Sequence, residues 1–235
     1  MKRWDFYRHL INKYLKKSSS ILIIGASSDE IKLFKNEKFT NITVGYFDDR
    51  ELIDLKKIKL EYDFEIHKVD ARKINFENQS FEYCLTHATI HHIDLPHLAI
   101  TELYRVSKLG TLIIEGNDSI VMRIATKFGF SEEYENSSIS DMKGGLLNSG
   151  LPNYIYRWSE REIYKLLNSY NPNINHQINF IYSHDFKNAA LEKNLYKKIV
   201  KYLLSKFLYI IFLFFKKQKN LVGIFIDKES SKKRY

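Results

Sequence analysis

The stretch Ile21-Leu22-Ile23-Ile24-Gly25-Ala26-Ser27-Ser28-Asp29 decides the fold. Four apolar residues, three of them β-branched, read as a short buried strand. A glycine follows, where the absence of a side chain lets the backbone turn sharply or approach a ligand. Beyond it Ile31 and Phe34 stand at helical spacing. The pattern then repeats outward. Asn41–Tyr46 reads as a second strand ending at Asp48-Asp49, and Arg50–Lys59 as a helix. Phe64–Val69 reads as a third strand ending at Asp70, and Phe81–Thr86 as a fourth. Leu95–Ser107 reads as a helix with Leu98, Leu103 and Val106 on its apolar side, stopped by Gly110. Thr111–Glu115 reads as a fifth strand. Strands alternating with helices at this spacing predict an α/β fold built on a doubly wound, mostly parallel sheet.

The flanks are less regular. Met1–Lys17 carries Trp4, Tyr7, Ile11 and Tyr14 at helical spacing and no apolar leader, which predicts an amphipathic helix packed on the domain. After strand five, an apolar helix is expected around Ile120–Phe128, followed by a polar stretch with Gly144-Gly145 and Gly150. Ser159–Tyr170 is a helix with Ser159 as N-cap and Glu162 at capping-box spacing. His176–Tyr182 and Leu221–Asp227 complete the strands. The expected organisation is an N-terminal helix over 1–19 and one domain over 20–235. Two insertions interrupt that domain, 117–158 as a lid and 184–220 as a basic, apolar helix.

The 235 residues suffice for one such domain with a real core. The net charge of +9 suggests a nucleic-acid binder, but its distribution argues otherwise. Residues 1–186 carry 24 Lys+Arg against 25 Asp+Glu, whereas 187–235 carry 13 against 3. The body is neutral, so a whole-domain polyanion groove is not expected and nucleic acid is set aside as a partner. One cysteine, Cys84 within an apolar strand, excludes a disulfide scaffold or thiolate zinc cluster and reads as core. It also makes a cytoplasmic location the default. No metal cluster with ligand spacing appears in the sequence.

Ligands of open α/β sheets bind at the carboxyl ends of strands. Gly25, Asp48 and Asp70 fall there in order, with carboxylates suited to ribose hydroxyls and an adenine amine. Aspartates in such places are also ordinary caps and turn residues. The run Asp70-Ala71-Arg72-Lys73-Ile74-Asn75-Phe76-Glu77-Asn78-Gln79-Ser80-Phe81-Glu82 resembles the "GDA…LPF…SFD" segment of class I S-adenosylmethionine-dependent methyltransferases. Thr86-His87-Ala88-Thr89-Ile90-His91-His92-Ile93 is similar to their segment after strand four. Glu102-Leu103-Tyr104-Arg105-Val106-Ser107-Lys108-Leu109-Gly110 is similar to their "E-x-x-RVLKPGG" helix and turn. The likeness covers about residues 20–116 with order and spacing intact.

That resemblance implies a seven-stranded sheet whose last two strands are antiparallel, and S-adenosylmethionine as cofactor. It places Gly25, Ala26 and Ser27 in the loop under the methionine part and Asp48 on the ribose. Asp70 and Ala71 line the adenine, and His87 lies beside the sulfonium. The family's D-x-G-x-G-x-G loop is reduced here to its first glycine, with Ile23 where the acid stands. His92, and next His91, are the expected general bases for an acceptor that loses a proton; helix capping or packing is the competing reading. Tyr154, Tyr156, Arg157 and Trp158 either line an acceptor pocket or serve as core and cap of the following helix.

Phe207–Phe215 is an unbroken apolar run flanked by Lys197, Lys198, Lys216, Lys217 and Lys219. It falls short of the roughly 20 residues a membrane span needs, and suits an interfacial helix on anionic lipid, a buried helix or a dimer contact. The reading that follows is methyl transfer to a small-molecule or glycan acceptor, lipid-linked and presented at a membrane surface through 197–219. The alternatives are a non-catalytic binding module on the same fold and an RNA methyltransferase.

Overall fold

The computed structural model describes residues 3–136, 139, 144–185 and 195–234. In chain order the elements are α1 (Arg3–Tyr14), β1 (Ile21–Ile24), α2 (Ser28–Asn36), β2 (Ile42–Tyr46), α3 (Asp49–Lys59), β3 (Glu65–Lys68) and β4 (Phe81–His87). They continue with α4 (Pro96–Val106), β5 (Ser107–Gly116), α5 (Ile120–Lys127), α6 (Glu160–Tyr170), β6 (Ile174–Ser183), α7 (Leu195–Phe214) and β7 (Leu221–Lys233). The strands form one sheet in the order β3-β2-β1-β4-β5-β7-β6. Strands β1 to β5 pair in parallel, and β7 runs antiparallel to both β5 and β6. The strand order reverses between β1 and β4, so the carboxyl ends of β1, β2 and β4 surround the switch point where ligands bind in such sheets.

Burial on both faces explains the continuous apolar runs of β1 and β2, every residue of which is buried. One face carries Ile21, Ile23, Val44 and Leu85 against α1, α2 and α3. The other carries Leu22, Cys84, Ile113 and Ile224 against α4 and α6. Helix α1 buries Phe6, Tyr7, Leu10 and Ile11, while Trp4 stays partly exposed. The buried face keeps Tyr7 and Ile11 and takes Phe6 and Leu10 where the aromatic spacing points to Trp4 and Tyr14.

Three boundaries differ from the sequence expectation. Gly110 does not stop a helix; it lies inside β5, which starts at Ser107. A Cβ there would lie 2.6 Å from the Phe225 ring on β7, so the glycine serves close strand packing. Leu98 is exposed on α4, whose buried side is Ala99, Ile100, Leu103 and Val106. Strand β7 runs on to Lys233, because after an irregularity between Asn175 and Gln177 it keeps pairing with β6.

Candidate active site at the strand tips

Gly25 ends β1 with φ +71°, a left-handed conformation that glycine adopts without strain. Any Cβ there would lie 2.4 Å from Thr89 Cγ2. The loop after it is fixed in an unusual way for its length. Ser27 caps α2 by accepting from Glu30 N–H, and its own N–H donates to Glu30 Oε2 at 2.7 Å. This capping box holds the turn that the missing glycines would otherwise form. Ala26 packs, partly buried, against the adjoining core.

Asp48 caps α3 at the tip of β2. Its Oδ1 accepts from Arg50 N–H at 2.8 Å and from Arg50 Nε at 2.9 Å, and Oδ2 accepts from Nη2. The Arg50 guanidinium holds the Asp48 carboxyl down at about 2. The same guanidinium donates to Asn148 O at 2.6 Å, tying α3 to the insertion after β5. Asp70, after β3, repeats the device: it accepts from Arg72 N–H at 2.9 Å and from Arg72 Nη2 at 2.7 Å, which lowers its carboxyl. Arg72 also pairs with Asp94 at 3.0 Å. Ala71 is buried beside Val69 and Ile74.

His87 is enclosed. Its Nδ1 lies 3.2 Å from Glu30 Oε1, and its ring stacks on Tyr7 with centroids 4.7 Å apart. Burial, then the Glu30 charge, raises the Tyr7 hydroxyl. The side chain of His87 therefore faces α1 and α2.

The floor of the site is the 3-10 turn Ile90–His92 after β4. The buried Glu115, at the end of β5, accepts from the N–H groups of Thr89 and Ile90, each at 2.9 Å, and from His91 Nδ1 at 2.7 Å. Burial pulls His91 down, but the charges and hydrogen bonds of Glu115 and then Glu135 outweigh it and carry it up to about 10. His92 is lowered by burial and by the His91 charge, and its Nδ1 lies 3.2 Å from Gly145 O. Glu135 descends from the insertion to face both rings, 3.4 Å from His91 Nε2 and 3.5 Å from His92 Nε2.

The ligand atoms of His91, His92 and Glu135 lie within 4.8 Å of one another, a grouping that the sequence does not announce. Glu135 follows His92 by 43 residues and is invisible to any spacing rule. Glu115 had a signal, an acid closing a fully apolar strand. Arg50 and Arg72 had another, the same Asp-x-Arg spacing at two successive strand ends.

The aromatic segment before α6 divides. Trp158 is fully buried, and Tyr156 donates to Glu162, which also faces His97 Nε2 at 3.0 Å. Glu162 N–H donates to Ser159, but with its carboxylate engaged in this way Glu162 makes no return bond to the cap. Arg157 Nη2 donates to Ser131 Oγ and Glu132 O, fastening the insertion to its own exit, and Tyr154 remains exposed. Cys84 is fully buried, which pushes its thiol far up and leaves it an inert core residue.

Comparison with known proteins agrees with this geometry. A family model described as a methyltransferase domain matches residues 29–114. Residues 29–114 are thus similar to a methyltransferase domain, and the chain as a whole shares a fold with S-adenosylmethionine-dependent methyltransferases. Among solved structures it is similar to a Pyrococcus horikoshii OT3 protein, at 13% identity and TM-score 0.58, over 96% of this chain and 89% of that one. It is also similar to a SAM-dependent methyltransferase from Archaeoglobus fulgidus, at 10% identity and TM-score 0.58, over 95% and 94%. The [4+2]-cyclase SpnF shares the fold at 10% identity and TM-score 0.57, over 95% and 80%. No curated protein matches the sequence.

Methyltransferases of this fold are SAM-dependent, as the Archaeoglobus fulgidus protein is, and the donor set at the strand tips suits S-adenosylmethionine. Two ionised, partly exposed carboxylates stand on neighbouring strand ends, where a ribose diol and an adenine amine need acceptors. Gly25 lets the Thr89 side chain pack directly on the loop after β1. Arg50 covers both oxygens of Asp48, and its exposed side chain has to turn aside for a diol to bind.

Proposed function

We propose that this chain transfers a methyl group from S-adenosylmethionine to a small-molecule or glycan acceptor held beneath the insertion after β5, and that the acceptor is presented at an anionic membrane surface. The observation that carries the reading is the convergence of Gly25, Asp48 and Asp70 on one sheet edge, with His91 and His92 between that edge and the insertion. Bound there, the cofactor supplies an electrophilic methyl group. Asp48 and Asp70 would hold its ribose and adenine, with Gly25, Ala26 and Ser27 beneath its methionine part. The protein's task is then to align the acceptor and exclude water. His92 is the more accessible of the two histidines and faces the insertion, so it is the group best placed to act on an acceptor hydroxyl, with His91 fixed behind it by Glu115.

The membrane element rests on separate observations. Helix α7 exposes Leu203, Phe207, Ile210, Leu213 and Phe214, and α5 exposes Ile120 and Ile124. The segment after α7 is bound to the start of the insertion: Asn117 Nδ2 donates to Lys217 O and Lys219 O, and Ser119 Oγ to Gln218 O. The linker after α7, which carries Lys216, Lys217 and Lys219, is thus fastened to the residues that open α5, and both helices expose apolar side chains. No helix among the described residues is long and apolar enough to cross a membrane. Apolar side chains rimmed by lysines suit an element lying on anionic lipid.

The test is flotation with anionic and zwitterionic vesicles, with release of S-adenosylhomocysteine followed when a lipid-linked glycan fraction is added. The wild-type chain is expected to float with anionic vesicles only, and Phe207→Asp/Phe214→Asp to lose flotation while keeping its fold. Equal behaviour of both chains would remove the membrane element. A second reading, a binding module without turnover, is favoured by the hold of Arg50 on Asp48; cofactor binding without product release would select it.

A further inference from the structure

We infer that His91, His92 and Glu135 form a binding site for one divalent transition-metal ion, which clamps the insertion onto the floor of the site. Three features of the geometry carry this. First, the two separations that Glu135 makes are those of ligands and not of a tight ion pair. Two atoms about 2.1 Å from one ion at a tetrahedral angle lie about 3.4 Å apart. Glu135 Oε2 is 3.4 Å from His91 Nε2 and 3.5 Å from His92 Nε2, whereas a charge-assisted hydrogen bond closes to about 2.8 Å, as Glu115 does on the other side of His91 at 2.7 Å.

Second, both rings are oriented as metal-bound histidines are. His91 Nδ1 is held by the Glu115 carboxylate and His92 Nδ1 faces Gly145 O, so the Nε2 atoms of both rings face Glu135. A histidine whose far nitrogen donates to a carboxylate or backbone carbonyl is the usual support for a ligand nitrogen. Third, the three groups come from rigid supports. Glu115 also anchors the 3-10 turn through two backbone N–H groups, and Asn153, itself buried, donates to His91 O while its carbonyl oxygen accepts from Glu135 N–H.

Two imidazoles and one carboxylate suit zinc, cobalt or a similar ion, with a coordination position left open. Binding replaces the proton at His91 Nε2, which passes to solvent. Under the function proposed above the ion, in place of His92, would hold an acceptor oxygen at its open position and favour loss of that oxygen's proton to solvent. That last role depends on the methyl-transfer reading; ion binding does not. The site would also join the turn after β4 to the insertion, with Thr89 linking it to Gly25: Thr89 Oγ1 lies 3.5 Å from Gly25 O.

The test uses the full chain, freed of metal with a chelator and titrated with Zn²⁺ and Co²⁺ in the absence of cofactor and acceptor. One ion per chain is expected, with the visible absorption of low-coordinate Co²⁺. His92→Ala and Glu135→Ala should each weaken binding at least about 10-fold. Glu115→Gln, acting through His91, should weaken it about 10- to 100-fold. Glu135→Gln keeps the side-chain shape and guards against misfolding, with circular dichroism as the check. No stoichiometric uptake by the wild-type chain, or unchanged affinity in a folded His92→Ala/Glu135→Gln double variant, overturns the site and leaves an ion-pair cluster. Binding of S-adenosylhomocysteine, measured separately, tells failure of the ion site from failure of the methyl-transfer reading.

Discussion

The two halves of the site are built on different principles. At the edge formed by β2 and β3, each carboxylate is held by a neighbour two residues along: Asp48 by Arg50, and Asp70 by Arg72. On the other side of Gly25, the carboxylates that meet the histidines are distant in sequence. His91 meets Glu115 from β5 and Glu135 from the insertion. Local devices shape the carboxylates at the ends of β2 and β3, and long-range ones the turn after β4.

The sharpest way to break this contrast is to remove Glu115. Its carboxylate serves two backbone N–H groups and a charged histidine from full burial. Glu115→Ala leaves those donors unpaired in a dry interior and should cost about 3–5 kcal/mol; denaturant titration measures it. A loss near zero would mean that water reaches Glu115 and that the long-range half is not tightly built. A smaller effect is expected at Ser159, whose hydroxyl caps α6 by accepting from Glu162 N–H. Ser159→Ala should lower stability by about 1 kcal/mol, seen as a shifted urea midpoint with an unchanged slope. The smallest belongs to Arg123, paired with Asp118 on the surface. Arg123→Ala should change stability by less than about 0.5 kcal/mol, because exposed ion pairs lose to solvent screening most of what they gain.

The same division governs what could be read from the sequence. Strands β1, β2 and β4 show as apolar runs because both faces of each are covered, whereas the edge strand β3 is half exposed and shows only through Phe64 and Val69 at its ends. Gly25, Asp48 and Asp70 show because strand ends and turn chemistry are local. The reading of Gly110 as a stop failed because the Phe225 ring that demands a glycine there comes from β7, more than 100 residues away. Leu98 was placed in the core by periodicity, but α4 turns Ala99, Ile100 and Leu103 inward instead. Glu30 stands at capping-box spacing from Ser27, but nothing in the sequence shows that its other oxygen faces His87. Glu135 could not be found from spacing at all, since only the folded insertion brings it to His91 and His92.

The account stands on the carboxylates at the strand tips receiving a nucleoside. Isothermal titration of the full chain with S-adenosylhomocysteine tests it most directly, beside Asp48→Ala. Two hydroxyls donating to one ionised carboxylate contribute about 1.5–3 kcal/mol, so the variant should bind about 10- to 100-fold more weakly than a wild-type chain with one site. No heat of binding to the wild-type chain, or equal affinity in the variant, would contradict the account, because Arg50 would then be the lasting partner of Asp48.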